Sequence, residues 1–424
     1  MSDKYFDGSV ETQYLDPVSY VPNGRCAFEL DGDKMAYLSN MRLLDIGVVA
    51  GAQTNYSKGL GAMALIKNIR LMDARTELSS LRNPAQYLFF KNANRSNAIN
   101  KSNDSYLKRN ALGLEIQATD GRLAHIYASG PADTTEQTTN KGYLDLREVF
   151  PILNVLQVLP TQIFRNLRIE IEFDANILNQ ILVDNSIAIT TLRPVLAVDH
   201  INNAVLVNQE INSLMKSGVV WDEILHDNWT IPAVDTTVEP YLTNPAFTSI
   251  QNASNQSLAY KGKYVERLLI CKQLQNKALA ITGGNAVSGF GGVASSYAVL
   301  NQTTQYRSNG KNIIPGFNGV NRPNERLGIL SDEWGSVNGF IGSNLYKWSR
   351  ADESLADPNE AGQMSWDCVR LGQRVADLQV QIQRTNQRDT DALAPTNTAL
   401  NINAYAECKK AMAVMSDGYN IVFA

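Results

Sequence analysis

The sequence has little of what metal sites and disulfide scaffolds require. Its 424 residues include 3 histidines and 4 cysteines. No second histidine or cysteine lies within metal-ligand spacing of His125, His200 or His226, so neither a zinc site nor a cupin-type site is indicated. The cysteines stand singly, with no Cys-x-x-Cys pair, and we expect reduced, partly buried thiols. They are Cys26, Cys271, Cys368 and Cys408. We therefore predict no metal and no cofactor.

The sequence has neither a large excess of charge of one sign nor a long hydrophobic run. The chain carries 38 basic and 42 acidic residues, a net charge of −4. Nucleic-acid binding normally needs a basic patch, so we expect no sequence-specific nucleic-acid partner. Lys101, Lys108 and Arg109 do cluster, but we interpret them as a solvated loop. No apolar run of about 18 residues predicts a transmembrane segment, and residues 1–20 lack a signal peptide's apolar stretch. We expect the protein to assemble inside a cell.

Complete catalytic motifs are also lacking. Gly59–Ala64 (GLGAMA) matches a relaxed dinucleotide fingerprint, but a polar segment precedes it where the motif needs a strand. Thr282–Val293 is rich in glycine but lacks the Gly-Lys-Ser/Thr ending of a phosphate loop. Asp352-Glu353 and Asp389-Thr390-Asp391 lack the spacing of an EF-hand. Glu170 and Glu172 share one strand face, which is more typical of a solvated face than of an acid/base pair. We predict no catalytic, cofactor-binding or metal-binding residue.

The tryptophans lie in the second half of the chain or just before it. We interpret them as core and interface anchors, with a sugar-binding platform as the less favoured alternative. They are Trp221, Trp229, Trp334, Trp348 and Trp366.

What the sequence does contain is one order of elements, used twice. Each half runs through a strand, a turn, a helix, a long loop and a closing pair of strands. In the first half these are Leu65–Asp73, the helix candidate Asn83–Asn94, and the closing strands Leu167–Phe173 and Ser186–Val198. In the second half they are Val299–Gly310, the helix candidate Asn324–Val337, and the closing strands Leu378–Gln383 and Ala399–Glu407. The closing pairs are separated by about 210 residues, far more than a solenoid or propeller repeat, so the pattern indicates a duplicated domain.

Alternation of apolar and polar residues gives the clearest strand predictions. Leu167, Ile169, Ile171 and Phe173 alternate with charged residues, which predicts one buried and one exposed strand face. Arg25–Leu30 is predicted as a strand, and Lys34–Val49 as one long strand or two. Four long segments without a pattern are predicted to be loops that form contact surfaces. They are Asn94–Asn110, Ala128–Gly142, Thr282–Ser296 and Ser343–Met364.

Few helices are expected. Leu144–Leu159 is apolar around most of its circumference, and Pro151 must start or kink a helix there. Ala204–Lys216 places Leu206, Glu210, Ile211, Leu214 and Met215 at helical spacing, and we expect the helix to end at Gly218. Because it follows the last strand of the first module, we expect this helix to link the two modules.

These features predict an all-β fold with two tandem eight-stranded jelly rolls and a few short helices in the connections. Long excursions between separated strands fit a jelly roll better than a meander barrel. A chain of this length suits two domains of about 200 residues each. We expect an N-terminal arm at residues 1–23, a first jelly roll at 24–203, a linking helix and connector at 204–230, and a second jelly roll at 231–424.

The element order resembles the double jelly-roll major capsid proteins of the adenovirus-like lineage, especially those of virophages and polinton-like viruses. The stretches that carry this resemblance are Arg25–Val49, Gly142–Phe173, Tyr306–Pro315 and Arg326–Gly339. The resemblance implies a structural protein of the virion rather than an enzyme. It implies homotrimers of pseudo-hexagonal outline that tile an icosahedral shell, with neighbouring capsomers and penton or minor capsid proteins as partners. The alternatives are a minor or vertex capsid protein and a jelly-roll carbohydrate-binding protein.

Overall fold

The computed structural model describes residues 10–21, 24–44, 66–84, 87–88, 143–174, 194–232, 251–274, 302–313, 365–385, 400–415 and 418–424. The strands up to residue 201 are β1 (Val10–Leu15), β2 (Ser19–Val21), β3 (Arg25–Glu29), β4 (Ala36–Leu38), β5 (Arg42–Leu44), β6 (Ile66–Asp73), β7 (Thr76–Arg82), β8 (Tyr143–Asp145), β9 (Val158–Pro160), β10 (Leu167–Phe173) and β11 (Val195–Ile201). The later strands are β12 (Val219–Ile231), β13 (Gln251–Ser257), β14 (Tyr264–Leu274), β15 (Gln302–Ser308), β16 (Lys311–Asn312), β17 (Ser365–Arg374), β18 (Leu378–Thr385), β19 (Leu400–Met415) and β20 (Gly418–Phe423). Two α-helices lie between these strands, α1 (Ile152–Val155) and α2 (Ala204–Ser217).

Within the described ranges the strands form four sheets. The first sheet has the order β8-β5-β11-β4-β9, with β1 also paired to β11. The second sheet has the order β2-β3-β10-β6-β7. The third has the order β12-β19-β14-β17, with β20 also paired to β19, and the fourth has the order β13-β18-β15-β16. The strand pairs whose register is defined are antiparallel, and the predicted all-β fold class is confirmed.

The chain divides into two compact units. The first consists of Met1–Phe89, Asp104–Leu225 and Cys408–Ala424, and the second of Phe90–Asn103 and His226–Glu407. The C-terminal segment therefore belongs to the same unit as the first two sheets. This division does not follow the chain order of the predicted domain boundaries, which stay predictions.

The predicted alternation on β10 is confirmed. Leu167, Ile169, Ile171 and Phe173 are at most 4% exposed. Ile169 pairs with Phe28 on one side and Leu71 on the other, and both of these neighbours are fully buried. The same alternation holds on β18, where Leu378, Val380 and Ile382 are buried. In both sheets one face of the strand is buried because apolar side chains recur at every second residue.

One prediction in the first unit is wrong. Leu144–Leu159 is not mainly helical: β8 continues into one 3-10 turn at Leu146–Glu148, α1 lasts four residues, and Val158 already belongs to β9. Pro151 does start α1, as expected. Within residues 1–23, the predicted arm, β1 pairs with β11 over six residues and β2 pairs with β3, and the bounds of the arm stay a prediction.

Helix α2 matches its predicted bounds to within one residue. The Asn203 side chain accepts hydrogen bonds from the backbone N–H groups of Val205 and Leu206, and Gly218 ends the helix with φ of 61°. Such a positive φ favours glycine. Val207 packs against Ala36 and Val158 of the first unit, whereas Met215, which shared the predicted face, is exposed.

Several other predictions can be compared only in part. Lys34–Val49 contains two short strands, β4 and β5. Pro84, Tyr87 and Leu88 are helical, within the candidate Asn83–Asn94. The helix candidate Asn324–Val337, most of Ser186–Val198 and all four predicted loops lie outside the described residues.

Candidate functional site

Two of the histidines, His200 and His226, each lie beside a polar side chain. His200 on β11 is 3% exposed, and its Nε2 lies 3.1 Å from Oε2 of Glu11. His226 on β12 has its Nε2 2.9 Å from Oδ1 of Asn403. Within the described ranges no three histidine, cysteine or acidic side chains are grouped so as to hold a metal ion. His125 lies outside these ranges.

None of the four cysteines forms a disulfide bond, and all four are buried. Burial raises the pKa of the Cys26 thiol to about 12. A thiol must be ionised to act as a nucleophile, so Cys26 is unreactive at neutral pH. The thiols, which were predicted to be partly buried, are at most 2% exposed.

Glu170 and Glu172 lie on the outer face of β10, each bound to basic residues. Oε2 of Glu170 is 2.6 Å from the Arg70 guanidinium, and its Oε1 is 2.9 Å from Nε of Arg168. Glu172 pairs with Lys67 at 2.8 Å, and this hydrogen bond raises the pKa of Lys67. Each carboxylate is balanced by basic neighbours, so their arrangement is that of a charged sheet surface.

A groove of about 720 Å³ runs along this face. Val18, just before β2, and Val21, the last residue of β2, form part of its wall. They are 61% and 50% exposed. Arg25 and Glu29 on β3 also line it. Apolar and charged side chains therefore share one accessible surface of the first unit.

A second polar cluster fastens β1 to the first sheet. The Asp199 carboxylate accepts hydrogen bonds from Thr12 Oγ1 at 2.7 Å, from Asn40 Nδ2 at 2.5 Å and from the Arg42 guanidinium at 2.7 Å. Thr12 lies on β1, Arg42 on β5 and Asn40 just before β5. Asp199 is in the central strand β11. One buried carboxylate thus ties the N-terminal strand to the sheet.

A third cluster, which we call the buried pair, consists of Glu223 and Lys410. Their side chains are 2% and 8% exposed, and their charged atoms are 4.0 Å apart. Glu223 accepts hydrogen bonds from Trp221 Nε1 at 2.6 Å, Ser79 Oγ at 3.0 Å and the Ser80 backbone N–H at 2.9 Å. Burial raises the pKa of Glu223, and the neighbouring Lys410 opposes this shift.

The C-terminal strand has a further polar contact within the first unit. The Tyr419 hydroxyl donates a 2.8 Å hydrogen bond to Oδ2 of Asp73, and its ring lies 5.4 Å from that of Phe164. Burial, followed by the bond to Asp73, raises the pKa of Tyr419. The hydroxyl is therefore a neutral donor that holds β20 in place.

Sequence reasoning did not single out Asp199, Glu223 or Lys410. A signal for two of them exists, because each is a charged residue at an inward position of an alternating strand. Glu223 follows Val219 and Trp221 at two-residue steps, and Lys410 lies between Cys408 and Met412 in the same way.

Side-chain burial is described for two of the tryptophans, and Trp229 on β12 is partly buried. Trp221 is 3% exposed and belongs to the core. Gly59–Ala64, Thr282–Val293, Asp352-Glu353 and Asp389-Thr390-Asp391 lie outside the described residues, as do Trp334 and Trp348.

Comparison with solved structures identifies the architecture. A chain from the 3.5 Å cryo-EM structure of the Sputnik virophage matches with a TM-score of 0.54 and 10% identity, covering 98% of this chain and 88% of that one. A chain of the PBCV-1 virus capsid matches with a TM-score of 0.53 and 12% identity, covering 98% and 97%. The chain has the double jelly-roll fold.

The Faustovirus major capsid protein has a TM-score of 0.50 at 7% identity, over 100% of this chain and 92% of that one. No family model and no curated protein sequence matches the chain. The double jelly roll is therefore recognised from the arrangement of its strands at very low sequence identity.

The described helices include none long and apolar enough to cross a membrane.

Proposed function

We propose that the chain is a viral major capsid protein. The observation that supports this most directly is that the double jelly roll corresponds over nearly its whole length to capsid chains of similar extent. These chains come from the PBCV-1 capsid and the Faustovirus major capsid protein. Correspondence over the full chain favours a major capsid protein over a vertex protein with one jelly roll.

In this proposal the protein works by assembly. Two β-modules per chain and three chains around an axis give six similar modules, so the capsomer has a pseudo-hexagonal outline. Such blocks tile a curved shell, in which neighbouring capsomers and penton or minor capsid proteins are the partners. The protein would then reside in the virion after assembly inside the host cell.

The chemistry of the described side chains fits a structural role. The carboxylates of β10 are bound to basic neighbours, and the charged pair of β12 and β19 is engaged with backbone groups. In the proposal these groups stabilise strands, and no residue acts on a substrate.

Native mass spectrometry of the purified protein tests the oligomer. We expect a species of three times the 46.8 kDa of one chain, because obligate interfaces commonly bury more than about 2,000 Å². A stable monomer at micromolar concentration would contradict the trimer. Binding on a glycan array by such a monomer would instead favour a carbohydrate-binding jelly roll.

A further inference from the structure

The outer edge of β7 is covered by side chains where a neighbouring strand would otherwise lie. In the described part of the chain β7 is the last strand of the second sheet. An edge strand presents backbone N–H and C=O groups that can pair with another chain. Three of these groups on β7 are instead bound by the buried pair, Glu223 and Lys410.

The hydrogen bonds match both kinds of backbone group. Glu223 accepts from the Ser80 N–H at 2.9 Å. Lys410 Nζ donates to the carbonyl oxygen of Leu78 at 2.9 Å and to that of Glu77 at 3.4 Å. The Glu223 carboxylate therefore binds the backbone donor, and the Lys410 ammonium group binds the backbone acceptors. In a paired strand, backbone C=O and N–H groups would make these bonds.

A β-bulge explains why side chains are suited to this position. Leu71 pairs with Ser79 and Met72 pairs with Glu77, so Leu78 is an extra residue in β7. A bulge disrupts the regular spacing of hydrogen bonds along the strand. A straight strand is poorly matched to this edge, whereas two side chains can reach each group separately.

The buried pair is itself well supported. Trp221 Nε1 donates to the second carboxylate oxygen of Glu223. Lys410 Nζ lies 5.7 Å from the centroid of the Trp221 ring and 5.4 Å from that of Phe423. The cluster joins residues from the three chain segments of the first unit, including its C-terminal segment.

We propose that Glu223 and Lys410 bind the edge of β7 in the way that a neighbouring strand would and close this edge against pairing with other chains. The C-terminal segment is then required to complete the first unit, because it supplies Lys410. This inference is independent of the proposed function, since it concerns the folded chain alone.

Hydrogen exchange in the full-length protein, measured on the peptide that covers Thr76–Arg82, tests the proposal. We expect the combined substitutions Glu223→Leu and Lys410→Met to speed exchange at Ser80 by about tenfold or more, because the apolar pair leaves its N–H unbonded. Light scattering should show association that increases with concentration. Unchanged exchange together with unchanged scattering would overturn the proposal.

Two further variants separate edge closure from simple charge pairing. The reversed pair, Glu223→Lys with Lys410→Glu, keeps opposite charges but places a donor against the Ser80 N–H, so we expect no recovery of protection. Glu223→Gln keeps an acceptor, and we expect it to retain most of the protection at Ser80 even if the other variants fail to fold. Protection restored by the reversed pair, or lost in Glu223→Gln, would contradict the proposal.

The neighbouring pair Lys409 and Asp222 provides a matched control. Their side chains are 32% and 42% exposed, and the two charges lie 2.7 Å apart. Lys409→Met should leave exchange of Thr76–Arg82 unchanged. A loss equal to that of the Glu223 and Lys410 variants would show that any charge loss on β19 loosens β7, and the proposal would fall.

Discussion

At the residue level, Ile169 is the central side chain of the inner face of β10. It is fully buried and pairs with Phe28 and Leu71. We expect Ile169→Ala to lower the free energy of unfolding by about 2–5 kcal/mol, because the smaller side chain leaves a cavity. Chemical denaturation measures this change.

Glu172→Gln on the same strand is the control for that substitution. The Glu172 side chain is 47% exposed in its pair with Lys67, and exposed pairs contribute at most about 1 kcal/mol. A larger loss from Glu172→Gln than from Ile169→Ala would reverse the assignment of the two faces.

Glu223 predicts a pH dependence of stability. Burial raises its pKa in the folded chain above the ordinary value of 4.5. The stability due to this group is therefore complete below the ordinary value and is lost as the pH rises through the folded pKa. Relative to Glu223→Gln, the parent protein should lose stability as the pH rises from the ordinary value of 4.5 to the raised pKa of the folded chain. A difference in unfolding free energy that stays constant or grows over this range would contradict the assignment.

At the level of elements, β1 depends on Asp199. This carboxylate bonds to Thr12, Asn40 and Arg42, so its loss should loosen the N-terminal strand. We expect Asp199→Ala to cost about 1.5–3 kcal/mol, the range for a hydrogen bond to a charged group, and to speed hydrogen exchange in Val10–Leu15.

Glu11→Gln is the corresponding control, because the Glu11 side chain is 68% exposed. It should leave exchange in β1 nearly unchanged. Slow exchange of β1 in Asp199→Ala would show that backbone pairing with β11 alone holds the strand.

Strands were predictable where one face alone is buried. On β10 the positions predicted to be buried are buried, and β18 shows the same regular alternation of apolar and polar residues. The segment from Leu144 to Leu159 was wrongly predicted as mainly helical. Its apolar residues belong in succession to two short strands and a short helix. A nearly continuous apolar run does not distinguish these possibilities by period. Strand β1 was missed because its partner β11 is distant in the chain, and β2 was missed because it is only three residues long.

At the level of the whole molecule, the duplication predicted from the sequence agrees with the double jelly roll. The composition of the two compact units was not predictable. The first unit includes Cys408–Ala424, which is distant in sequence from its other segments. Hydrophobic periodicity and secondary-structure propensity depend on residues that are close together in the chain. Lys410 bonds to Leu78, which is 332 residues away in the sequence. Such contacts are decided by tertiary packing.

Cryo-EM of the purified full-length protein tests the central claim, assembly into capsomers, most directly. The account predicts threefold particles with six β-modules around the axis, or shells tiled by such particles. Particles that remain single chains at concentrations suitable for imaging would contradict it, as would a closed assembly with no threefold capsomer.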